Sequence, residues 1–216
     1  MSQVKPTDEI LCRLNVTYKA QKRQMSCWYA SAKMVLSFRT GSAKGLKKDV
    51  LVKTDVGKEV HAQMKSMSSL VGADDKAEQL GTTEKEWPKV ARAFGLQPVD
   101  PGEAGRIGTN FLDLREALVR KGPLWCAGRF FQGGSPGGHV IVVTGVLRRK
   151  VFGGQIKDHV IFHDPAPASL QGGDECVKPY DRYFMTTEKS GLFSLKETEG
   201  VPPVMYAPAD APTATT

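Results

Sequence analysis

The sequence predicts an α+β protein in which helices come first and strands follow. Helical patterns fall between residues 27 and 121, whereas apolar, β-branched runs separated by glycine-rich turns dominate the chain after residue 124. The 216 residues are 40% hydrophobic and 25% charged, which is ordinary for a globular protein with one well-buried core.

Turn and capping residues define the elements of the first half. Thr83-Glu84-Lys85-Glu86 has the capping-box pattern of a helix start, and Gly95 suits a helix end. The prolines and glycines of Pro98–Gly108 predict the crossing between two lobes. The predicted elements are, in order, a strand at Ile10–Thr17, helices at Cys27–Phe38, within 57–70 and at Thr83–Gly95, and the crossing at Pro98–Gly108.

The second half begins with one helix and continues as strands. Asn110 is a suitable cap for this helix, and Gly122-Pro123 stops it. Residues 201–216 are rich in Pro, Ala and Thr, which predicts a flexible tail. The predicted elements are a helix at Phe111–Lys121 and strands at Leu124–Phe130, Val140–Leu147, His159–His163 and Tyr183–Thr186.

Cys27 is the first candidate catalytic residue. It opens the helix Cys27–Phe38, after a polar loop in which Ser26 is a suitable cap. The unpaired N–H groups and the positive end of the helix dipole favour a thiolate there, which is the reactive form of cysteine.

His139 is the candidate general base. It follows Gly137-Gly138 and precedes the apolar run Val140–Thr144, so it lies at the mouth of a predicted buried strand. An imidazole on a rigid strand end can take the proton of a thiol and later return it to a leaving amine.

Asp164 is the candidate orienting acid. It ends the apolar run Val160-Ile161-Phe162-His163, and Pro165 favours an extended backbone at Asp164. His163 is a rival for this role, but adjacent residues of a strand face opposite sides, so only one of the two should point at His139.

Gln21 is the candidate oxyanion donor. It lies six positions before Cys27, and its side-chain amide can share this role with the backbone N–H of Cys27. Gln24 is a rival at a spacing of three residues.

Four segments in this order resemble the papain-like cysteine peptidases, specifically the compact bacterial branch with secreted effector proteases and relatives of the bacteriocin leader peptidases. The matching segments are Gln21 with Cys27-Trp28, the helix from Leu112 to Lys121 leading into Gly122-Pro123-Leu124, Gly138–Gly145, and Asp164-Pro165.

The resemblance implies a two-lobed papain-like fold over residues 1–200. A helical lobe, about 20–108, would carry the nucleophile helix, and an antiparallel β lobe, about 109–200, would carry the histidine and the acid. The resemblance also implies that Gln21, Cys27, His139 and Asp164 are oxyanion donor, nucleophile, general base and orienting acid.

These residues lead to three functional hypotheses. The first is a cysteine peptidase that cleaves polypeptide substrates through a thioester, as a bacterial effector or toxin with a cognate inhibitor or immunity protein. The second keeps the catalytic residues but changes the reaction to that of a peptidoglycan amidase, a deamidase or a transglutaminase-like toxin. The third is a catalytically silent papain-like module that binds a peptide in its cleft.

Charge and hydropathy restrict the partners and the compartment. The net charge is +7, from 30 basic and 23 acidic residues, but the basic residues are dispersed without aromatic interleaving, so we do not expect nucleic-acid binding. No apolar run reaches the length of a membrane helix, and the polar N-terminus lacks a signal-peptide core. We therefore expect synthesis in the cytoplasm and export by a specialised secretion system.

The cysteine spacing predicts neither a metal nor a cofactor. Cys12, Cys27, Cys126 and Cys176 form no Cys-x-x-Cys pair, and none has a histidine at metal-ligand spacing. Cys12 and Cys126 lie in apolar stretches and are expected to be buried, whereas the polar neighbours of Cys176 predict an exposed thiol.

Overall fold

The α+β class predicted from the sequence is confirmed. The computed structural model describes residues 3–21, 27–40, 95–132, 135–166, 173–183, 193–194 and 204–209. The helices predicted within 57–70 and at Thr83–Gly95 lie outside these residues, apart from Gly95. The strands are β1 Glu9–Arg13, β2 Gln97–Pro98, β3 Leu124–Gln132, β4 Ser135–Lys150, β5 Ile156–Asp164, β6 Gly173–Pro179, β7 Phe193–Ser194 and β8 Val204–Tyr206, and the helices are α1 Cys27–Thr40, α2 Pro101–Thr109, α3 Phe111–Lys121 and α4 Tyr180–Tyr183.

The described strands form one sheet in the order β2-β8-β3-β4-β5-β6, in which every pairing is antiparallel. The 16-residue β4 is its centre, with β3 along its first part, β1 along its last part and β5 on the other side. This long strand places the start of β4 beside the end of β5, where His139 and Asp164 lie.

Helices cover both faces of the sheet. Successive side chains of β3 and β4 point to opposite faces, and both faces carry apolar side chains. Leu124 and Cys126 face a core that contains α2 and α3, whereas Trp125 and Ala127 face a core built around α1. All four side chains are fully buried. The apolar runs that predicted strands therefore become two-sided, water-excluding layers.

The segment Pro98–Gly108, predicted as the crossing between lobes, contains most of the helix α2, which was not predicted from the sequence. Asp100 caps α2, since its Oδ1 accepts from the N–H groups of Gly102 at 2.9 Å and Glu103 at 3.2 Å. Pro101 occupies the first helical position, where its missing N–H and fixed φ cost nothing.

The predicted flexible tail at 201–216 is wrong for its described middle part. Val204–Tyr206 forms β8, which pairs with both β2 and β3, and Val204 and Met205 are fully buried. Tyr183, the start of a predicted strand at Tyr183–Thr186, ends the helical turn α4 instead. The other positions of that predicted strand lie outside the described residues.

The predicted lobe boundary near residue 108 stays a prediction, because much of the helical lobe lies outside the described residues. Among the residues that the structure describes, no helix combines the length and the apolar character that crossing a membrane requires.

Candidate active site

His139 and Asp164 lie together at one end of the sheet. The Nε2 atom of His139 is 2.7 Å from Oδ1 of Asp164, and the side chain of Asp164 is only 2% exposed. Val143 pairs with Phe162, so strand alternation places both His139 and Asp164 on the face of this pair. The register of β4 and β5 thus brings together residues that are 25 positions apart.

Local hydrogen bonds fix the orientation of Asp164. Its Oδ1 also accepts from the N–H of Ala166 at 2.9 Å, and its backbone carbonyl accepts from the hydroxyl of Tyr18 at 3.2 Å. A carboxylate held by a backbone donor keeps one oxygen directed at the imidazole. This contact leaves Nδ1 of His139 as the nitrogen for a second partner.

Cys27, the first residue of α1, also interacts with the His139 ring. The Cys27 side chain hydrogen-bonds to the ring of His139. Two hydrogen bonds hold the first turns of α1 on the sheet: Ser31 Oγ donates to the Val140 carbonyl at 3.3 Å, and Trp125 Nε1 donates to the Trp28 carbonyl at 3.1 Å. Val140 follows His139 directly, so the Ser31 contact links the helix to the strand beside the imidazole.

The electrostatics of the site favour a protonated imidazole. Burial of the ring lowers its pKa, but hydrogen bonds to Asp164 and Cys27 and the attraction of both groups outweigh burial, and the pKa of His139 rises to about 10. At neutral pH the ring therefore carries a proton on each nitrogen. A protonated imidazole in this position can donate a proton to a leaving group.

Gln21 is anchored next to Asp164. Its backbone N–H donates to the carbonyl of Pro165, the residue after Asp164, at 2.8 Å. This bond holds the segment that carries Gln21 against the end of β5. Gln24, its sequence rival, lies outside the described residues.

The remaining candidates lie in other environments. His163 is buried and contacts the Val16 carbonyl through Nε2 at 2.9 Å, on the face of β5 opposite to Asp164. His159 is buried and contacts the Lys157 carbonyl at 2.9 Å.

The prediction of an exposed Cys176 is wrong. This residue is 2% exposed, and its Sγ donates to the Gly173 carbonyl at 3.3 Å. Burial raises the pKa of the Cys176 thiol to about 11, with a further increase from Asp164. Cys126 is fully buried as expected, and Cys12 is partly buried. Among the described residues, no group of three or more His, Cys, Asp and Glu side chains is arranged to hold a metal ion.

The sequence interpretation missed three supporting residues: Tyr18, Ser31 and Trp125. Ser31 carried a usable signal, because a serine one helical turn after Cys27 in an apolar run needs a buried partner. Tyr18 and Trp125 carried no such signal, since their contacts depend on the tertiary fold.

The pairing of His139 with Asp164 at the end of the sheet, near the start of α1 at Cys27, is the arrangement expected of a papain-like protein. The family model described as papain-like cysteine protease AvrRpt2 matches residues 11–180, which is most of the chain. The chain therefore belongs to this family of cysteine proteases. A comparison with curated proteins finds no match.

Proposed function

We propose that this protein hydrolyses peptide bonds through Cys27, His139 and Asp164, with Gln21 as an oxyanion donor. The observation that carries the proposal is the position of the His139 ring between the carboxylate of Asp164, at 2.7 Å, and the side chain of Cys27. Membership of a cysteine protease family supports the same reaction.

The thiolate of Cys27 attacks the scissile carbonyl carbon, so a C–S bond forms and the carbonyl oxygen becomes negatively charged. The Gln21 amide and the Cys27 N–H donate to this oxygen. The tetrahedral intermediate collapses with cleavage of the C–N bond, and His139 gives its Nδ1 proton to the leaving amine. The first product leaves, and a thioester remains on Cys27.

Water completes the cycle. The now neutral His139 takes a proton from the water, whose oxygen attacks the thioester carbon. Cleavage of the C–S bond releases the acid product and restores the thiolate beside a protonated imidazole. Asp164 keeps the ring in one orientation throughout and stabilises its positive charge.

The direct test compares wild type with Cys27→Ala on a panel of proteins and peptides, with the products identified by mass spectrometry. We expect chain scission by wild type and a loss of at least roughly 10⁴-fold in the variant. Cys12→Ala is the matched control, because burial raises the pKa of that thiol despite the nearby Arg115, and it should cleave normally.

Other products would point to other reactions. Equal cleavage by Cys27→Ala overturns the assignment. A Cys27-dependent mass change without chain scission, on proteins or on purified cell walls, would assign deamidation, group transfer or amidase activity. Slow, nonselective labelling of Cys27 by a thiol probe would favour a silent peptide-binding module.

We further propose that the protein is an effector, made in the cytoplasm and exported by a specialised secretion system, with polypeptide substrates and a cognate inhibitor. The effector character of the family and the basic charge support this. Mass spectrometry of culture supernatants, with and without a working export apparatus, tests it. Equal amounts in both supernatants would contradict specialised export.

A further inference from the structure

Residues 16–21, which connect β1 towards α1, are attached to the end of β5 at three points. His163 Nε2 donates to the Val16 carbonyl at 2.9 Å, the Tyr18 hydroxyl donates to the Asp164 carbonyl at 3.2 Å, and the Gln21 N–H donates to the Pro165 carbonyl at 2.8 Å. Three consecutive residues at the end of β5 and just beyond it, His163, Asp164 and Pro165, therefore hold residues 16–21.

His163 is the buried centre of this attachment. Its Nδ1 lies 3.1 Å from the backbone N–H of Glu175 and 2.9 Å from Oδ1 of Asp174. In a neutral ring, Nδ1 accepts a hydrogen bond from the N–H of Glu175. In a charged ring, Nδ1 donates a hydrogen bond to Asp174. In both cases Nε2 carries a proton and donates a hydrogen bond to the Val16 carbonyl. The side chain of His163 is 3% exposed, whereas that of Asp174 is 60% exposed.

An irregularity in β6 lies beside this ring. The register between β5 and β6 shifts between Phe162 and Asp164, and Glu175 has a φ of 48°. Such a bulge re-aims backbone groups next to functional sites. Here it brings the N–H of Glu175 to His163, beside the strand end that carries Asp164.

Tyr18 adds a second contact on the same ring. Its aromatic ring packs edge-on against His163, with 5.8 Å between the ring centroids. Its hydroxyl donates a hydrogen bond to the backbone carbonyl of Asp164. Tyr18 therefore links the segment to both neighbouring residues of β5, through packing to one and hydrogen bonding to the other.

We propose that Tyr18 and His163 form a clamp that positions Gln21 for oxyanion stabilisation; this inference rests on the proposed function. Gln21 follows Tyr18 by three residues, and its N–H is bonded to the residue after Asp164. An oxyanion donor must be held to a fraction of an ångström to act in the transition state. Tyr18 and His163 are positioning residues, which act on the reaction through Gln21.

The clamp makes a specific kinetic prediction. Loss of oxyanion stabilisation lowers kcat, because the charge on the carbonyl oxygen exists only after attack. Alkylation of Cys27 by iodoacetamide forms no oxyanion, so its rate reports the Cys27–His139 pair alone. Loosening the clamp should therefore lower kcat while KM and the alkylation rate remain near the wild-type values.

The experiment measures kcat, KM and alkylation rate for Tyr18→Phe, His163→Leu and His163→Gln. We expect kcat to fall roughly tenfold to 10²-fold in the first two variants, with KM within about twofold. His163→Gln should recover part of the loss, because its amide can donate to the Val16 carbonyl. Tyr206→Phe, which removes the hydroxyl bond to Gln97, and His159→Gln are matched controls that should retain normal kcat.

A double-mutant cycle with Gln21→Ala decides whether the effect passes through Gln21. In the Gln21→Ala background, Tyr18→Phe should change kcat by less than about twofold. An undiminished effect there, or a fall in alkylation rate parallel to kcat, overturns the clamp. Wild-type kcat in both Tyr18→Phe and His163→Leu also overturns it.

Amide hydrogen exchange gives a readout that does not need a substrate. Exchange at the Gln21 N–H should accelerate in Tyr18→Phe and His163→Leu, with β3 and β4 unchanged. Unchanged exchange at Gln21 overturns the clamp even if wild type is active. If the wild type does not cleave, or if Cys27→Ala still cleaves, the proposed function is overturned together with the catalytic role of the clamp. If the clamp variants show normal, Cys27-dependent cleavage, the clamp alone is overturned.

Discussion

The two ends of the β4–β5 hairpin differ in burial, although the same pair of strands builds both. At the end near Cys27, β5 buries six consecutive residues up to Asp164. At the far end, Ile156 is 67% exposed and the following residue is exposed as well. An ion pair or charged hydrogen bond lies at each end, between His139 and Asp164 at 2.7 Å and between Arg148 and Asp158 at 3.2 Å.

Burial determines what each pair does. Asp158 and Arg148 are each 39% exposed, so water screens their attraction and competes for their hydrogen bonds. Asp164 is 2% exposed, where the effective dielectric is lower and a charge has a larger effect on its neighbour. A contact with aspartate therefore raises the pKa of the His139 imidazole at the buried end, whereas the exposed Arg148–Asp158 contact contributes little to stability.

Replacing each aspartate in turn gives the largest expected contrast. Asp164→Asn should lower kcat/KM by roughly 10²-fold or more, because an amide neither stabilises the imidazolium nor fixes its orientation as a carboxylate does. Asp158→Asn, on the same strand, is the matched control and should cleave normally. Steady-state kinetics on one peptide compares them, and similar losses in both would show that the burial contrast has no catalytic meaning.

The pH dependence of stability should distinguish His139 from His159, a second histidine of the same hairpin. The folded-state pKa of His139 is raised from 6.5 to about 10, so its contribution to stability is complete below pH 6.5 and is lost as pH rises towards 10. The difference in unfolding free energy between wild type and His139→Gln should therefore shrink over that interval. Urea denaturation at a series of pH values measures it.

His159 provides the opposite sign as a control. Burial lowers the pKa of His159, and nearby Arg149 lowers it further, against its bond to the Lys157 carbonyl. Protonating this ring therefore costs stability below pH 6.5, and His159→Gln should change the pH dependence only there. Identical pH profiles for the two variants would contradict the assigned environments.

Two glycines compare packing inside the β4–β5 hairpin with packing in its turn. At Gly145 a Cβ would overlap the Cys12 carbonyl oxygen and lie 3.1 Å from Cα of Arg13, so Gly145→Ala should destabilise the fold by about 2–3 kcal/mol. At Gly153, in the exposed turn after β4, a Cβ meets nothing within 4 Å, but φ is +82°. Gly153→Ala should cost about 1 kcal/mol from backbone strain alone. Thermal unfolding compares the two, and an equal cost would refute the packing difference.

Arg148→Ala should have the smallest effect. Its partner Asp158 is as exposed as Arg148 itself, so removing the pair should change the unfolding free energy by less than about 1 kcal/mol. Raising the salt concentration should reduce even that difference. A loss of several kcal/mol in chemical denaturation would show that this end of the hairpin is not a screened surface.

The sequence predicted best what depends on local pattern. The β-branched run after His139 and the apolar run before Asp164 are long and regular enough to define β4 and β5, and Asn110 and Gly122 correctly mark the ends of α3. Strand alternation also indicated that His163 and Asp164 would point to opposite sides. These predictions rest on periods of two and 3.6 residues, which neighbouring residues reveal.

Non-local contacts were beyond the same reasoning. Val16 and His163 are 147 residues apart, and nothing near Val16 in sequence indicates a histidine partner. Val204–Tyr206 is a three-residue apolar run within a Pro-rich segment, so composition concealed a buried strand. Cys176 has polar neighbours, yet it pairs with Phe162 on β5 and is only 2% exposed. Tertiary pairing determined these positions against their local composition.

The pairing of the Cys27 sulfur with the His139 ring is tested most directly by iodoacetamide labelling of wild type and His139→Gln from pH 5 to 10. The account predicts that wild type is labelled at least about tenfold faster than His139→Gln at pH 6, because the cationic His139 ring beside the sulfur promotes the nucleophilic reaction of Cys27. Superimposable labelling profiles for the two proteins would contradict it.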